Sequence, residues 1–382
     1  MTGGAQPLGD WSELDHRAMQ RALVLAERGV ASTDPNPRVG CVIVQGAQFV
    51  GEGYHERAGE PHAEVFALRA AGARARGATA YVTLEPCSHQ GRTPPCADAL
   101  IAAGIARLVY AAADPDPRVN GRGAARLVAA GIRVEHGLLA EEANELNSGF
   151  LRRLRSGRPW VRLKLAASLD GRSALASGES QWITGEAARA DVQVWRARSS
   201  AVLTGIGTVL ADDPVLNVRL PATAERQPLR VVLDSRFQTP PDSRLLQTPG
   251  KVRIVGVHAA AADALRAALG VAAAGAARTA DCVVECVAAN AGRVDLAALL
   301  QHLGAAQVNE LHVEAGATLS GAFLAAGLVD ELLLYVAPTL LGSDARPLAA
   351  LPALARLADR LQFNIHSVQR LGADLRLQLR PQ

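Results

Sequence analysis

The chain has 382 residues, 49% of them hydrophobic and 20% charged. That is an ordinary globular composition, too apolar for a disordered chain and long enough for two or three domains. Forty Lys and Arg against 37 Asp and Glu leave +3, so no large basic field advertises nucleic acid or an anionic membrane. The five cysteines (Cys41, Cys87, Cys96, Cys282, Cys286) are an odd number in a long chain, which argues for a reducing compartment rather than a disulfide framework. The N-terminal MTGGAQPLGDWSELD has no basic n-region and no apolar h-region. No stretch approaches ~18 uninterrupted apolar residues. The expectation is a cytoplasmic protein without a membrane span.

In chain order, Ser12 to Gly29 reads as a helix, with Ser12 as N-cap and Asp15 three residues on. Val39–Gln45 and Phe49–Tyr54 are short β-rich runs around a Gly turn. A helix follows Pro61, then a strand at Ala80–Leu84, a helix near Ala97–Ala103 and a strand at Arg107–Tyr110. A helix near Gly123–Ala130, a strand at Ile132–Glu135 and one helix over Glu141–Leu154 complete the first half. Arg155-Ser-Gly-Arg-Pro159 is the best boundary, which gives domains 1–155 and 156–382. The second half alternates again: strands at Val161–Ala166, Ala201–Thr204, Leu229–Leu233, Val252–Val257, Cys282–Val287, Glu310–Glu314 and Leu332–Val336, with helices near Glu186–Ser199, Ala259–Ala268 and Asp295–Leu303 and a short one after Glu314. Both halves are therefore α/β with a largely parallel sheet.

Three features converge in the first half. Pro61-His62-Ala63-Glu64 opens a helix, Glu85-Pro86-Cys87 follows a strand, and Cys96 comes nine positions later. One imidazole and two thiolates suit Zn²⁺ and leave a fourth position for water, which zinc acidifies. Glu64, two residues from His62, could then carry protons without ligating the metal, as in zinc deaminases. Pro61 and Pro86 suit first-turn helix positions, which would put His62 and Cys87 near positive helix ends. The alternatives are a closed zinc with His89 or Cys41 as fourth ligand, and two incidental buried cysteines with no metal. The spacing of the two cysteines departs from the C-x-x-C usual in deaminases.

PHAEVFAL and TLEPCSHQGRTPPC, with TDPNPRVGCVIV upstream and DPDPRVNGRG downstream, resemble the deaminase half of the bifunctional riboflavin-biosynthesis deaminase/reductase family. That family has the long cysteine spacing. The resemblance implies a cytidine-deaminase-like three-layer fold, zinc on His62, Cys87 and Cys96, and Glu64 as proton donor and acceptor. It also implies that Asn36, His89 and Arg92 lie near a pyrimidine ribosyl phosphate. Asp116 stands where the family more usually has Asn, a difference tolerated in a turn.

In the second half, Thr204-Gly-Ile-Gly-Thr208 lacks the third glycine of a dinucleotide fingerprint, and Glu314-Ala-Gly-Ala-Thr-Leu-Ser-Gly321 lacks the Gly-Lys-Ser/Thr of a P-loop. Either is an anion loop or a plain strand-to-helix turn. KLAASLDGR, SGESQWITG, GIGTVLADDPVLNVR, VVLDSR and EAGATLSGA resemble the reductase half of the same family. That half is similar to dihydrofolate reductase in fold and takes NADPH. By resemblance the cofactor meets Ala166, Trp182, Thr208, Asp212, Ser235 and Gly316, Ala317, Thr318, Leu319, Ser320, Gly321 and Ala322, with Ser235 and Arg236 beside its 2′-phosphate. The substrate meets Ser180, Arg196, Leu216, Arg219 and Glu314. Arginines suit a substrate phosphate bidentately. Lys164, one of two lysines, is expected in the core or the site.

The reading is hydrolytic deamination of 2,5-diamino-6-ribosylamino-4(3H)-pyrimidinone 5′-phosphate with zinc activating the water, then NADPH reduction of the ribosyl chain to ribityl. The implied partners are that small molecule and further copies of the chain through the reductase half, with neither nucleic acid nor membrane. The competing readings are a nucleobase or tRNA deaminase fused to an unrelated nucleotide-binding domain, which predicts C-x-x-C and a basic surface, and a zinc-stabilised binding module in which Glu64 is dispensable.

Overall fold

The computed structural model describes residues 10–88, 95–220, 226–275 and 280–382, without the side chains of 271–275. The chain divides into two compact units, Met1–Gly157 and Arg158–Gln382.

In the first unit, Ser12 starts α1 (Glu13–Glu27) as its spacing predicts. The Asp15 N–H donates to the Ser12 hydroxyl at 3.1 Å and the Ser12 N–H donates to the Asp15 carboxylate at 2.9 Å. There follow β1 (Gly40–Gln45), β2 (Gln48–Tyr54), α2 (Ala63–Ala71), β3 (Thr79–Leu84), α3 (Cys96–Ala102), β4 (Arg107–Ala112), α4 (Arg122–Ala129), β5 (Arg133–His136), α5 (Ala140–Leu146) and α6 (Ser148–Ser156). The sheet order is β2-β1-β3-β4-β5, with β1 antiparallel to both neighbours and β3, β4 and β5 parallel.

Alternation along the strands builds the three layers. Cys41, Ile43, Val82, Leu108 and Tyr110 meet α2, α3 and α4 on one face. Val42, Val44, Tyr81, Val109 and Ala111 meet α1 and α5 on the other. Glycine lets α2 approach: a Cβ on Gly53 would lie 2.5 Å from the Ala63 carbonyl oxygen.

One helix is expected over Glu141–Leu154, and the structure breaks it at Asn147. The side chain of Asn147 acts as a short strand for Arg38. Its amide donates to the Arg38 carbonyl at 2.8 Å and its oxygen accepts the Arg38 N–H at 2.8 Å. Asn147→Ala removes the side chain that both backbone groups of Arg38 bond to, at a cost of about 1–3 kcal/mol for each bond lost. A lowered urea midpoint with an unchanged slope is the expected result.

The second unit holds β6 (Trp160–Ser168), β7 (Arg172–Ala174), α7 (Glu186–Arg198), β8 (Ala201–Gly205), α8 (Ile206–Asp212), β9 (Leu229–Leu233), α9 (Arg244–Gln247), β10 (Gly250–Gly256), α10 (Ala259–Gly275) and β11 (Ala280–Cys286). It continues with β12 (Ala289–Asn290), β13 (Arg293–Val294), α11 (Leu296–Ala305), β14 (Glu310–Glu314), α12 (Ala317–Ala325), β15 (Glu331–Ala337), β16 (Arg346–Pro347), β17 (Phe363–Leu371) and β18 (Asp374–Pro381). Nine strands form one sheet in the order β11-β10-β9-β8-β14-β6-β15-β18-β17. The seven from β11 to β15 run parallel, and β18 and β17 are antiparallel.

Leu163, Leu203, Val313 and their neighbours face α11 and α12. The opposite face of β6 and β14 carries Arg162, Lys164, Glu310, His312 and Glu314. Arg162 is fully buried there, bonded to Glu310 at 2.8 Å and to Glu331, with its guanidinium carbon 4.5 Å from the centre of the Trp195 ring. Trp195 is half-buried and packs against this core.

Candidate active sites

In the first unit, His62, Cys87 and Cys96 converge. One donor atom from each lies within 4.8 Å of the others. His62 Nδ1 is 3.1 Å from Cys96 Sγ and 3.6 Å from Cys87 Sγ. His62 is the residue before α2, and Pro61 stands outside that helix. Cys87 occupies the loop after β3, and Cys96 rather than Cys87 begins a helix. His62 and Cys87 thus both lie at helix N-termini as expected, but Cys87 does so at α3 and not through Pro86: its Sγ accepts the Cys96 N–H at 3.3 Å. Cys41 lies on β1 and is outside the convergent group. His89 and Arg92 fall outside the described residues.

The electrostatics suit a cation. Hydrogen bonds from Cys96 hold the Cys87 thiol below its usual range against the effect of burial. Burial pushes the Glu64 carboxyl up, and His62 opposes it. Glu64 is 3% exposed, and its Oε2 has no hydrogen-bond partner among the described residues. A buried carboxylate oxygen without a partner requires a reason. A metal beside it, held by one imidazole and two thiols, supplies that reason, and the donor set fits zinc.

The loop carrying Cys87 is braced from below. Glu85 accepts the N–H groups of Gly121 at 3.1 Å and Ala124 at 3.5 Å, at the start of α4. A Cβ on Gly123 would lie 1.9 Å from the Pro86 carbonyl oxygen. Only glycine permits that approach, so VNGRG is a seat for the Glu85-Pro86-Cys87 strand end. Gly123→Ala is expected to weaken zinc binding about 10- to 100-fold, as lost outer support typically does, measured by chelator competition.

In the second unit, the candidate cofactor residues gather at the carboxyl ends of parallel strands, where open α/β sheets bind ligands. Ala166 is near the end of β6, Ser235 lies just beyond β9, and Thr208 and Asp212 are on α8. Thr204–Thr208 is a strand-to-helix turn, with Gly205 capping α8. Gly316 caps α12. The stretch Gly316–Ala322 divides: Gly316 and Thr318 are exposed, whereas Ser320 is buried and a Cβ on Gly321 would lie 2.1 Å from the Ala350 carbonyl oxygen. Trp182 is 69% exposed, with the Arg189 guanidinium carbon 4.6 Å from its ring centre.

Arg196 and Glu314 come together, and the backbone of the Leu216–Arg219 segment is bonded to α7. Arg196 is bonded bidentately to Glu314, at 2.9 Å for one of the two contacts, and its third nitrogen reaches the Asn217 carbonyl at 3.1 Å. Gln193, one turn earlier on α7, accepts the Arg219 N–H at 3.0 Å. The Arg196 fork is thus directed at a carboxylate in the protein. Burial opposes ionisation of Glu314, but the charge and hydrogen bonds of Arg196 outweigh it and hold the carboxyl well below its usual range. Ser180 lies on the loop between β7 and α7.

Comparison with known proteins gives the frame. A family model for the cytidine and deoxycytidylate deaminase zinc-binding region matches residues 12–112, and one for the RibD C-terminal domain matches 159–377. The riboflavin biosynthesis protein RibD of Escherichia coli is 52% identical over 96% of this chain and 99% of its own. The chain belongs to the RibD family. It is a bifunctional deaminase and reductase of riboflavin biosynthesis, and its two units fit Zn²⁺ and NADPH. A solved Acinetobacter baumannii RibD is 49% identical, covers 97% of this chain and 99% of its own, and superposes with a TM-score of 0.87. A Thermotoga maritima diaminohydroxyphosphoribosylaminopyrimidine deaminase/5-amino-6-(5-phosphoribosylamino)uracil reductase is 30% identical over 97% of this chain and 99% of its own, with a TM-score of 0.81. A deaminase fused to an unrelated domain is not favoured, because RibD likeness spans both units. No helix among the described residues is long and apolar enough to cross a membrane.

Sequence reasoning underweighted three groups around these sites. Glu85 and Gly123 fall within the motifs, but nothing local shows that they support each other, since they lie on separate segments of the chain. His312 is fully buried on β14, its Nε2 3.4 Å from Glu314. Lys164 stands opposite Glu314 in the β6–β14 register, its ammonium 5.8 Å from the Tyr335 ring centre. Burial lowers the Lys164 pKa, and Glu314 opposes that. The rarity of lysine was the available signal for Lys164; for His312 there was none.

Proposed function

We propose that this chain deaminates 2,5-diamino-6-ribosylamino-4(3H)-pyrimidinone 5′-phosphate in residues 1–155 and reduces the product in residues 156–382. The observation that carries the reading is the convergence of His62, Cys87 and Cys96 beside a buried Glu64 carboxylate oxygen that has no partner among the described residues. Those three residues hold the metal. Zinc, when bound, supplies the Lewis acidity that makes water nucleophilic near neutral pH. Glu64 takes a proton from the attacking water and passes it to the departing amine, so an amidine C–N bond is exchanged for a carbonyl and ammonia leaves. Asn36, His89 and Arg92 meet the pyrimidine and its ribosyl phosphate.

In the second unit, Ala166, Trp182, Thr208, Asp212, Ser235 and the Gly316–Ala322 segment hold the cofactor. NADPH, when bound, supplies the hydride to C1′ of the ribosyl chain. Ser180, Arg196, Leu216, Arg219 and Glu314 orient that chain. Arg196 keeps Glu314 ionised and fixed, so its carboxylate can accept from ribose hydroxyls or a pyrimidine N–H. Ser235 and Arg236 distinguish NADPH from NADH. Arg236→Ala is expected to raise KM about tenfold for NADPH, the value of one charge-assisted contact, and to leave KM for NADH unchanged. Further assembly is as a homo-oligomer through the reductase half, in the cytoplasm.

The test uses purified full-length protein and the diaminopyrimidinone ribosyl phosphate. Ammonia is released without NADPH, and added NADPH is then oxidised one for one with the deaminated product. Oxidation of NADPH without prior ammonia release would overturn the order of the two reactions.

A further inference from the structure

His55 touches three parts of the deaminase site. Its Nδ1 lies 3.1 Å from the Pro61 carbonyl oxygen, and its Nε2 lies 3.0 Å from Asn36 Nδ2. Its ring meets that of His62 edge-on, 5.3 Å between centres. Its own N–H donates to the Val39 carbonyl at 2.9 Å, and its side chain is buried.

The hydrogen-bond roles follow from chemistry. A carbonyl oxygen can only accept, so Nδ1 carries the hydrogen. A neutral imidazole has one N–H, so Nε2 accepts, and the Asn36 amide donates to it. An asparagine amide has two ends of nearly equal size, and its network decides which way it faces. Here the nitrogen is fixed on His55, which leaves the carbonyl oxygen of Asn36 for a ligand. The bond to Pro61 ties the same ring to the residue before His62. Proton transfer by Glu64 and metal binding by the three ligands make no use of His55.

We infer that His55 is a positioning residue for deamination, which fixes the amide of Asn36 with its carbonyl oxygen toward the aminopyrimidine ribosyl phosphate. The inference rests on the reading that Asn36 meets the substrate. It has a consequence for specificity: a fixed acceptor selects ligands that place an N–H or O–H there and rejects those that place a lone pair there.

Two conservative variants separate the two bonds of His55. Asparagine offers its amide near the Nδ1 position and glutamine near the Nε2 position. His55→Asn therefore keeps the donor to Pro61 and deletes the acceptor for Asn36, whereas His55→Gln keeps that acceptor. The measurements are steady-state ammonia release from the diaminopyrimidinone ribosyl phosphate and zinc content, on the full-length protein. NADPH oxidation with the deaminated product reports that the reductase unit is folded, and retained zinc reports that the deaminase unit is. His55→Asn is expected to raise KM about tenfold with kcat changed less than about threefold, the loss of one oriented hydrogen bond, with zinc retained. His55→Gln is expected to restore KM to within about threefold of wild type. Asn36→Ala/His55→Asn is expected to match Asn36→Ala alone, because one residue acts through the other.

Wild-type KM in His55→Asn while Asn36→Ala is impaired would overturn the inference. So would a His55→Gln variant as poor as His55→Asn, or loss of zinc from His55→Asn, which would make His55 a support of His62 alone. Wild-type KM in Asn36→Ala would overturn the reading of Asn36 itself, and the inference with it.

Discussion

Glu64→Gln is expected to cut ammonia release roughly 10²- to 10⁴-fold, the range attributed to a positioned acid–base group. Zinc content should stay at the wild-type level, since Glu64 is not among the convergent donors. The change is nearly isosteric, so the buried site loses a proton carrier and little else. The same preparation should oxidise NADPH at the wild-type rate when given the already deaminated pyrimidine, because that chemistry belongs to the other unit. Ammonia release within tenfold of wild type would remove Glu64 from proton transfer. Loss of zinc together with activity would assign it a structural role instead.

The second large effect is expected at the Arg196–Glu314 pair. Arg196→Leu leaves a carboxylate buried beside His312 with its bidentate partner gone, and breaking a buried pair this way costs about 3–5 kcal/mol. Chemical denaturation should show that loss in the second unit, and NADPH oxidation should fall with it. Glu314→Gln should be milder in stability, because a neutral amide can still accept from Arg196.

The sign of the pH dependence separates these variants. The Glu314 carboxyl titrates below its ordinary 4.5 in the folded chain, since Arg196 outweighs burial. A lowered folded pKa adds stability that is present above the unfolded pKa and is lost as pH falls through the folded one. Wild type should therefore lose this contribution on acidification below about 4.5, and Glu314→Gln should lack that part of the acid dependence. An identical acid unfolding profile in both proteins would show that the pair contributes no pH-dependent stability.

The elements were legible where their signals were local. Ser12 and Asp15 mark the first helix because a capping box is complete within four residues. The central strands of the first sheet are near-continuous apolar runs, as strands buried on two faces are, whereas β6 and β14 of the second alternate and keep a charged face. Two features are not legible from local signals. Asn147 breaks a helix because its side chain bonds to Arg38, 109 residues away. The hairpin of β17 and β18 was missed because its outer strand is largely exposed, with Ile365 at 64% and Val368 at 56%, so hydrophobicity has no clean period there.

The sequence by itself determined the chemistry. Residue types that bind zinc, a carboxylate two positions from the histidine and a long cysteine spacing are all readable from short motifs, because each needs a particular side chain at a particular offset. Tertiary structure alone decided what those side chains are bonded to. It paired Arg196 with Glu314 across 118 residues, directing at a carboxylate a guanidinium that the sequence offered to a phosphate. It brought Gly123 under Pro86 and turned His55 toward both Asn36 and Pro61. Such partners come from different strands and helices, and only the register of the folded sheet and the packing of helices on it sets their distances.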